Sequence, residues 1–140
     1  MSLLHMLDTD TSSYIIKAHP PAVVTRLAEL PPSSVCISVM TRAELLYGLK
    51  RLPAHHKLHL GVRQFLRLVS VLPWDADAAD HYADIRHQLA TTGQPIGELD
   101  MMIAAHALAV GAVLVTNNTR HFARITAPLV MVNWAEPTEQ

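Results

Sequence analysis

The chain reads as an α/β protein, with a mainly parallel central sheet flanked by helices. Two observations predict this. Short apolar runs at Leu3–Leu7, Val35–Ser38 and Val113–Thr116 alternate with longer segments whose apolar residues recur at helical spacing. An acidic or amide residue also follows each run, Asp8 after the first, Glu44 after the second and Asn118 after the third, and Asp100 stands at the opening of a long helix. In an open parallel sheet the carboxyl ends of the strands form one crevice, so side chains far apart in sequence meet there.

The elements follow in order. Leu3 to Asp8 predicts a short buried strand, and Thr11-Ser12-Ser13 offers N-cap hydroxyls for a helix ending near Lys17. Pro20-Pro21 starts a second helix, Ala22 to Leu30, because proline is tolerated in a first turn. Val35 to Ser38 is the next strand. Thr41-Arg42-Ala43-Glu44 has the spacing of a capping box, with Leu45, Leu46, Leu49 and Leu52 as the stripe of the helix behind it. An amphipathic helix over about Ala54 to Leu68 presents Leu58, Val62, Phe65 and Leu66. Val69 to Leu72 is a short strand. Ala76 to Leu89 is a helix with Ala79, Tyr82, Ala83, Ile85 and Leu89 as inner positions. A long apolar helix runs from Glu98 to Val110 and stops at Gly111. Val113 to Thr116 and Val130 to Val132 are the last strands.

At 140 residues the chain fits one domain spanning 1–140, with a core large enough to need no staples. One cysteine, Cys36, permits no intrachain disulfide and reads as a small core residue, consistent with a reducing cytoplasm. The start of the chain resembles neither a signal peptide nor a membrane span, so no membrane partner is expected. A net charge of −1 lacks the signature of a nucleic-acid binder, so any RNA contact must use a local basic patch. Arg42, Arg120 and Arg124 fall near the crevice mouth and are the candidates for phosphate contact.

A pocket holding Asp8, Glu44 and Asp100 is unfavourable without a cation, because like charges raise one another's pKa. Oxygen-rich sites of this kind suit Mg²⁺ or Mn²⁺. Asp8 and Asp100 are expected to hold the metal directly or through water, and Glu44 to position or deprotonate a bound water. Asn118 supplies a neutral oxygen or a donor to phosphate, and Thr116 a supporting hydroxyl. Asp10 either binds a metal through water or caps the first helix. Glu98 reads first as a partner of the helix dipole and second as a supporting group. His55, His56 and His59 include an i,i+4 pair on a predicted helix but no third ligand at zinc spacing, so they read as a solvated face. His106 reads as structural.

Met6-Leu7-Asp8-Thr9-Asp10, Thr41-Arg42-Ala43-Glu44-Leu45-Leu46-Tyr47-Gly48, Ile96-Gly97-x-x-Asp100-x-x-Ile103-Ala104-Ala105-His106-Ala107 and Val115-Thr116-Asn117-Asn118-x-x-x-Phe122 resemble the motifs of PIN-domain ribonucleases, and especially the VapC toxins of type II toxin–antitoxin systems. The likeness runs from the first strand to Trp134. It implies metal-binding acids at Asp8, Glu44 and Asp100, with a fourth position at Asn118. Asp10 stands where the family commonly has Asn, and His121 where it often has Glu. The resemblance also implies a Mg²⁺- or Mn²⁺-dependent endoribonuclease that inhibits growth, forms a homodimer and is neutralised by a VapB-type antitoxin. The group that cuts initiator tRNA in the anticodon region looks most similar.

Two other functions compete. Asp8-Thr9-Asp10-Thr11 resembles the first motif of haloacid-dehalogenase-like phosphatases, with Asp8 as nucleophile, although no matching lysine or late paired-Asp motif follows. The other is a PIN scaffold that only binds, which the presence of all three acids argues against.

Overall fold

A computed structural model of the chain describes residues 3–136. Five parallel strands form one sheet in the order β3-β2-β1-β4-β5: β1 His5–Leu7, β2 Val35–Ser38, β3 Ser70–Leu72, β4 Val113–Val115 and β5 Met131–Val132. The helices are α1 Thr9–Lys17, α2 Pro21–Ala28, α3 Val39–Lys50, α4 Leu58–Leu68, α5 Ala76–Thr91, α6 Glu98–Val110 and the short α7 Thr119–Phe122. No helix among the described residues is long and apolar enough to cross a membrane.

Strand β1 lies at the centre, with Leu7 opposite both Ile37 of β2 and Val115 of β4. Successive side chains of a strand point to opposite faces, and β1 uses this fully. Met6 joins Cys36, Leu114, Ile85, Leu89 and Ile103 in a core under α5 and α6. Leu7 joins Ile37, Val115, Val62 and Phe65 in a second core under the helices of the other face. The central strands therefore read as continuous apolar runs, as expected for a parallel sheet covered on both sides. Burial pushes the Cys36 thiol up to about 12, so it stays protonated.

Several starts differ from the expectation, each for a local reason. The cap of α1 is Asp8 rather than a hydroxyl of the Thr11 to Ser13 run: its carboxylate accepts from the Thr11 N–H at 2.8 Å. Thr11 and Ser12 are buried inside the helix and bond back to the Val115 and Asp8 carbonyls instead. The capping box at Thr41 does not form. Ser38 at the end of β2 caps α3 by accepting from the Met40 N–H at 3.1 Å, and helix follows strand without a loop. Glu44 consequently lies in the second turn of α3, outside the first-turn position expected of it. Helix α4 starts at Leu58, later than Ala54, so His55 and His56 precede it and only His59 is helical; no i,i+4 histidine pair exists. In α5 the buried positions are Ala78, Ile85 and Leu89, while Ala83 is exposed. The short α7 was not anticipated, because its four residues are too few to show a period.

Candidate active site

The chain leaves β1 toward β2 and β3 on one side and returns to β4 on the other. The β1–β4 crevice is thus the switch point of the sheet, the place where open parallel sheets bind ligands. Register puts Asp8 and Thr116, each the residue after its strand, side by side at that edge, and the Asp8 N–H donates to the Val115 carbonyl at 3.0 Å.

Asp8 is 3% exposed. Burial pushes its carboxyl above the ordinary value of 3.8; hydrogen bonds from the Thr116 hydroxyl and from Thr11 pull it back, and the nearby Asp10 charge raises it again. Thr116 is fully buried and accepts from the Asn118 N–H at 2.8 Å. A relay therefore runs from the Asn118 backbone through the Thr116 hydroxyl to Asp8. Asp100, in the first turn of α6, is half-buried, and its carboxyl is also pushed up. Burial is the chief cause, the charge of Asp10 adds to it, and His121 opposes it. Asp10 acts on both Asp8 and Asp100, so the three carboxylates share one field. That arrangement is costly unless a cation or a proton joins it.

Glu44 is exposed and shares a groove between α1 and α3 with Thr9 and Lys17. It is not among the groups acting on Asp8 or Asp100. Thr9 donates to Thr41 at 3.4 Å and ties the helix after Asp8 to the helix of Glu44. Among the described residues no three His, Cys, Asp or Glu side chains converge closely enough to hold a metal by themselves.

Residues 6–128 match the PIN domain family. The chain is 40% identical over 123 residues to the tRNA(fMet)-specific endonuclease VapC of Shigella flexneri, covering 88% of this chain and 92% of that protein. It is 36% identical over 132 residues to ribonuclease VapC2 of Haemophilus influenzae, covering 94% and 98%. In three dimensions it superposes on DNA-bound VapBC from Salmonella typhimurium with a TM-score of 0.86 and 40% identity, over 95% of this chain and 99% of that one. VapBC2 of Rickettsia felis, bound to a DNA fragment from its promoter, gives a TM-score of 0.86 at 32% identity, over 94% and 99%. The chain is a VapC-family PIN domain.

Within this VapC fold the other candidate residues divide. Glu98 is drawn toward α5, accepting from the Tyr82 hydroxyl at 3.0 Å with Arg86 3.9 Å away. Arg124 donates to the Pro95 carbonyl at 3.0 Å and braces the loop before α6. Arg42 and Arg120 are exposed. Asn117 turns to Tyr14 and Asn133, which leaves Asn118 as the amide beside the relay.

The structural reading of His106 holds, but its partner, like that of His121, was not legible in the sequence. His121 faces Asp100 through the folding of α7, a helix without a periodic signal. Fully buried His106 bonds Ser38 Oγ through Nδ1 at 2.8 Å. Ser38 already accepts from Met40, so it can give its own proton to His106, and the Asp100 helix is thereby fastened to the cap of the Glu44 helix. The other ring nitrogen of His106 is sealed beside the Pro73 backbone without reaching hydrogen-bond geometry.

Proposed function

We propose that this chain is a VapC-type ribonuclease toxin that hydrolyses phosphodiester bonds of RNA in the cytoplasm, inhibits growth and is held inactive by a VapB-type antitoxin. The observation that carries the reading is the buried Asp8 at the switch point, sharing one field with Asp10 and Asp100. Initiator tRNA is the proposed substrate, supported by the names of the relatives from Shigella and Salmonella, tRNA(fMet)-specific endonucleases at 40% and 42% identity. The VapB-type partner is supported by the superposition on two VapBC assemblies. A phosphatase using Asp8 as nucleophile loses its ground with membership of the PIN family.

The donor set fits Mg²⁺ or Mn²⁺. All the groups are oxygens, and burial and the charge of Asp10 both disfavour the anions of Asp8 and Asp100, a cost that a bound cation would offset. A hard cation that keeps several waters needs only one or two carboxylates, so the lack of a three-ligand cluster is no obstacle. Asp8 and Asp100 would hold it, with Glu44 and Asp10 through water. Bound there, the ion supplies charge neutralisation at the phosphate and acidifies a water. The chain's own groups do the rest. Thr116 orients Asp8, Asn118 holds Thr116 and offers its amide to the phosphate, and Glu44 takes a proton from the attacking water.

The test is cleavage by antitoxin-free protein, read by sequencing the RNA ends. Initiator tRNA should be cut with Mg²⁺ or Mn²⁺ and spared in EDTA. Asp8→Asn and Asp100→Asn should each lose activity by about 100-fold or more. Cleavage that persists after metal removal would sink the mechanism. Folded wild-type protein that cuts no RNA would favour a binding scaffold.

A further inference from the structure

Charge is distributed along this chain very unevenly. Between Leu45 and Trp74 there are five cations, Lys50, Arg51, Lys57, Arg63 and Arg67, and no acid. Between Asp75 and Asp100 there are six acids and one arginine. The basic segment forms the end of α3, the turn after it and α4; the acidic one forms α5 and the start of α6. All five cations are exposed, and among the described residues none of them pairs with a carboxylate.

Helix electrostatics explains part of this. Lys50 and Arg67 lie in last turns, where a cation is favourable. Lys57 is the opposite case. It occupies the N-cap of α4, where a cation opposes the dipole. Its side chain makes no capping bond, the Leu58 N–H being taken by His56 Nδ1 at 3.1 Å, and no acid follows in the first turn to offset the lysine's charge. A residue that breaks a local rule without a local gain points to function.

The segment also borders the active site. A groove of about 170 Å³ between α1 and α3 has Thr9 and Glu44 lining it at the start of α1 and Lys17 and Leu58 at the far end. A second concavity, about 340 Å³, shares Ile16, Lys17 and Leu58 with it and adds Lys57, Leu60 and Gln64. Positive charge thus begins where the groove from the acidic site ends. An acidic centre repels a polyanion, so affinity has to come from cations beside it, and affinity for nucleic acid comes mainly from phosphate contacts.

We propose that Lys17, Lys50, Arg51, Lys57 and Arg63 form a docking surface for the phosphate backbone of the substrate RNA, away from the bond that is cut. The proposal rests on the ribonuclease reading for the identity of the polyanion. The acidic α5 face turns the RNA toward this side.

The test measures binding of a labelled RNA hairpin by fluorescence anisotropy in EDTA, with antitoxin-free protein over a range of salt concentrations. Replacing Lys50, Arg51, Lys57 and Arg63 by Gln should lower the slope of log affinity against log salt by about 3, and should remove about 60-fold of the affinity change between 50 and 200 mM salt. KM for RNA should rise while kcat on a short oligonucleotide holds. Lys57→Asp separates this role from a structural one. An acid there suits the α4 dipole, so the melting temperature should hold or rise while RNA binding weakens several-fold. Asp77→Asn with Asp80→Asn, on α5, should not weaken binding. Unchanged salt slope and KM in the four-site variant would overturn the proposal, as would loss of antitoxin affinity with RNA binding intact. Wild-type protein that binds the hairpin with this salt dependence yet cuts no RNA would overturn the ribonuclease reading and leave the surface standing.

Discussion

Asp8 caps α1, accepts from Thr116 and provides the most buried carboxylate of the crevice. These roles pull its charge in opposite directions, because the cap favours the anion and burial opposes it. Asn keeps a capping oxygen and loses the charge. Asp8→Asn should therefore melt no lower than the parent in EDTA, and higher if burial dominates, as its place as the leading cause indicates. A clear fall in metal-free melting temperature would make the carboxylate structural. His106 gives a pH dependence of definite sign. Burial lowers its pKa below the ordinary 6.5, with Asp75 and the Pro73 backbone opposing. The unfolded chain then binds the proton more readily than the folded one. The stabilisation held by neutral His106 is complete above 6.5 and is lost as pH falls through the folded value. Melting temperature should drop as pH goes from about 7 toward 5, and His106→Gln should flatten that drop.

Among the elements, α3 and α1 show how helix ends set the site. Ser38 caps α3 directly from the strand, which puts Thr41 inside the helix, against Thr9, and Glu44 on its exposed side. Ser38→Ala removes both the cap and the His106 partner and should cost about 1–2 kcal/mol in chemical denaturation. Ala18 closes α1 at φ 54, a left-handed conformation that favours glycine. Ala18→Gly should stabilise the protein by roughly 0.5–1 kcal/mol, because the side-chain clash outweighs the entropy lost by glycine. A destabilised variant would show that the turn depends on the Ala18 methyl.

At the scale of the whole molecule, the homodimer that the resemblance implies would need an exposed apolar face, and α3 and α4 are the helices richest in candidate residues. Many of these go to the core: Leu45, Leu49, Val62 and Phe65 are buried. What stays outside on α3 is Tyr47, 62% exposed, on a face whose neighbours are short or polar. The exposed Leu60 and Leu68 of α4 sit among cations. Tyr47, with Lys50 and Arg51 one turn further along the same helix, is thus the candidate anchor for a dimer. Light scattering should give a dimer at micromolar concentration, and Tyr47→Glu should shift it toward monomer. A wild-type protein that is monomeric and active would remove the dimer from the account.

The sequence by itself determined the order of strands and helices, because buried parallel strands are apolar runs and covering helices carry a stripe every three to four residues. The extents of β2 at Val35–Ser38 and α6 at Glu98–Val110 were readable, one from its flanking prolines and serines and the other from Gly97 and Gly111. Asp8, Asp100 and Asn118 were marked by their places after strands or at a helix start. Only the tertiary structure decided which groups act on one another. The field joining Asp8, Asp10, Asp100 and His121, the Ser38–His106 fastening and the diversion of Glu98 and Arg124 all depend on contacts between distant segments. Periodicity records which face of an element is buried; it does not record what lies across from it. The capping box at Thr41 failed for the same reason, since a serine at the end of a paired strand was already in place to start the helix.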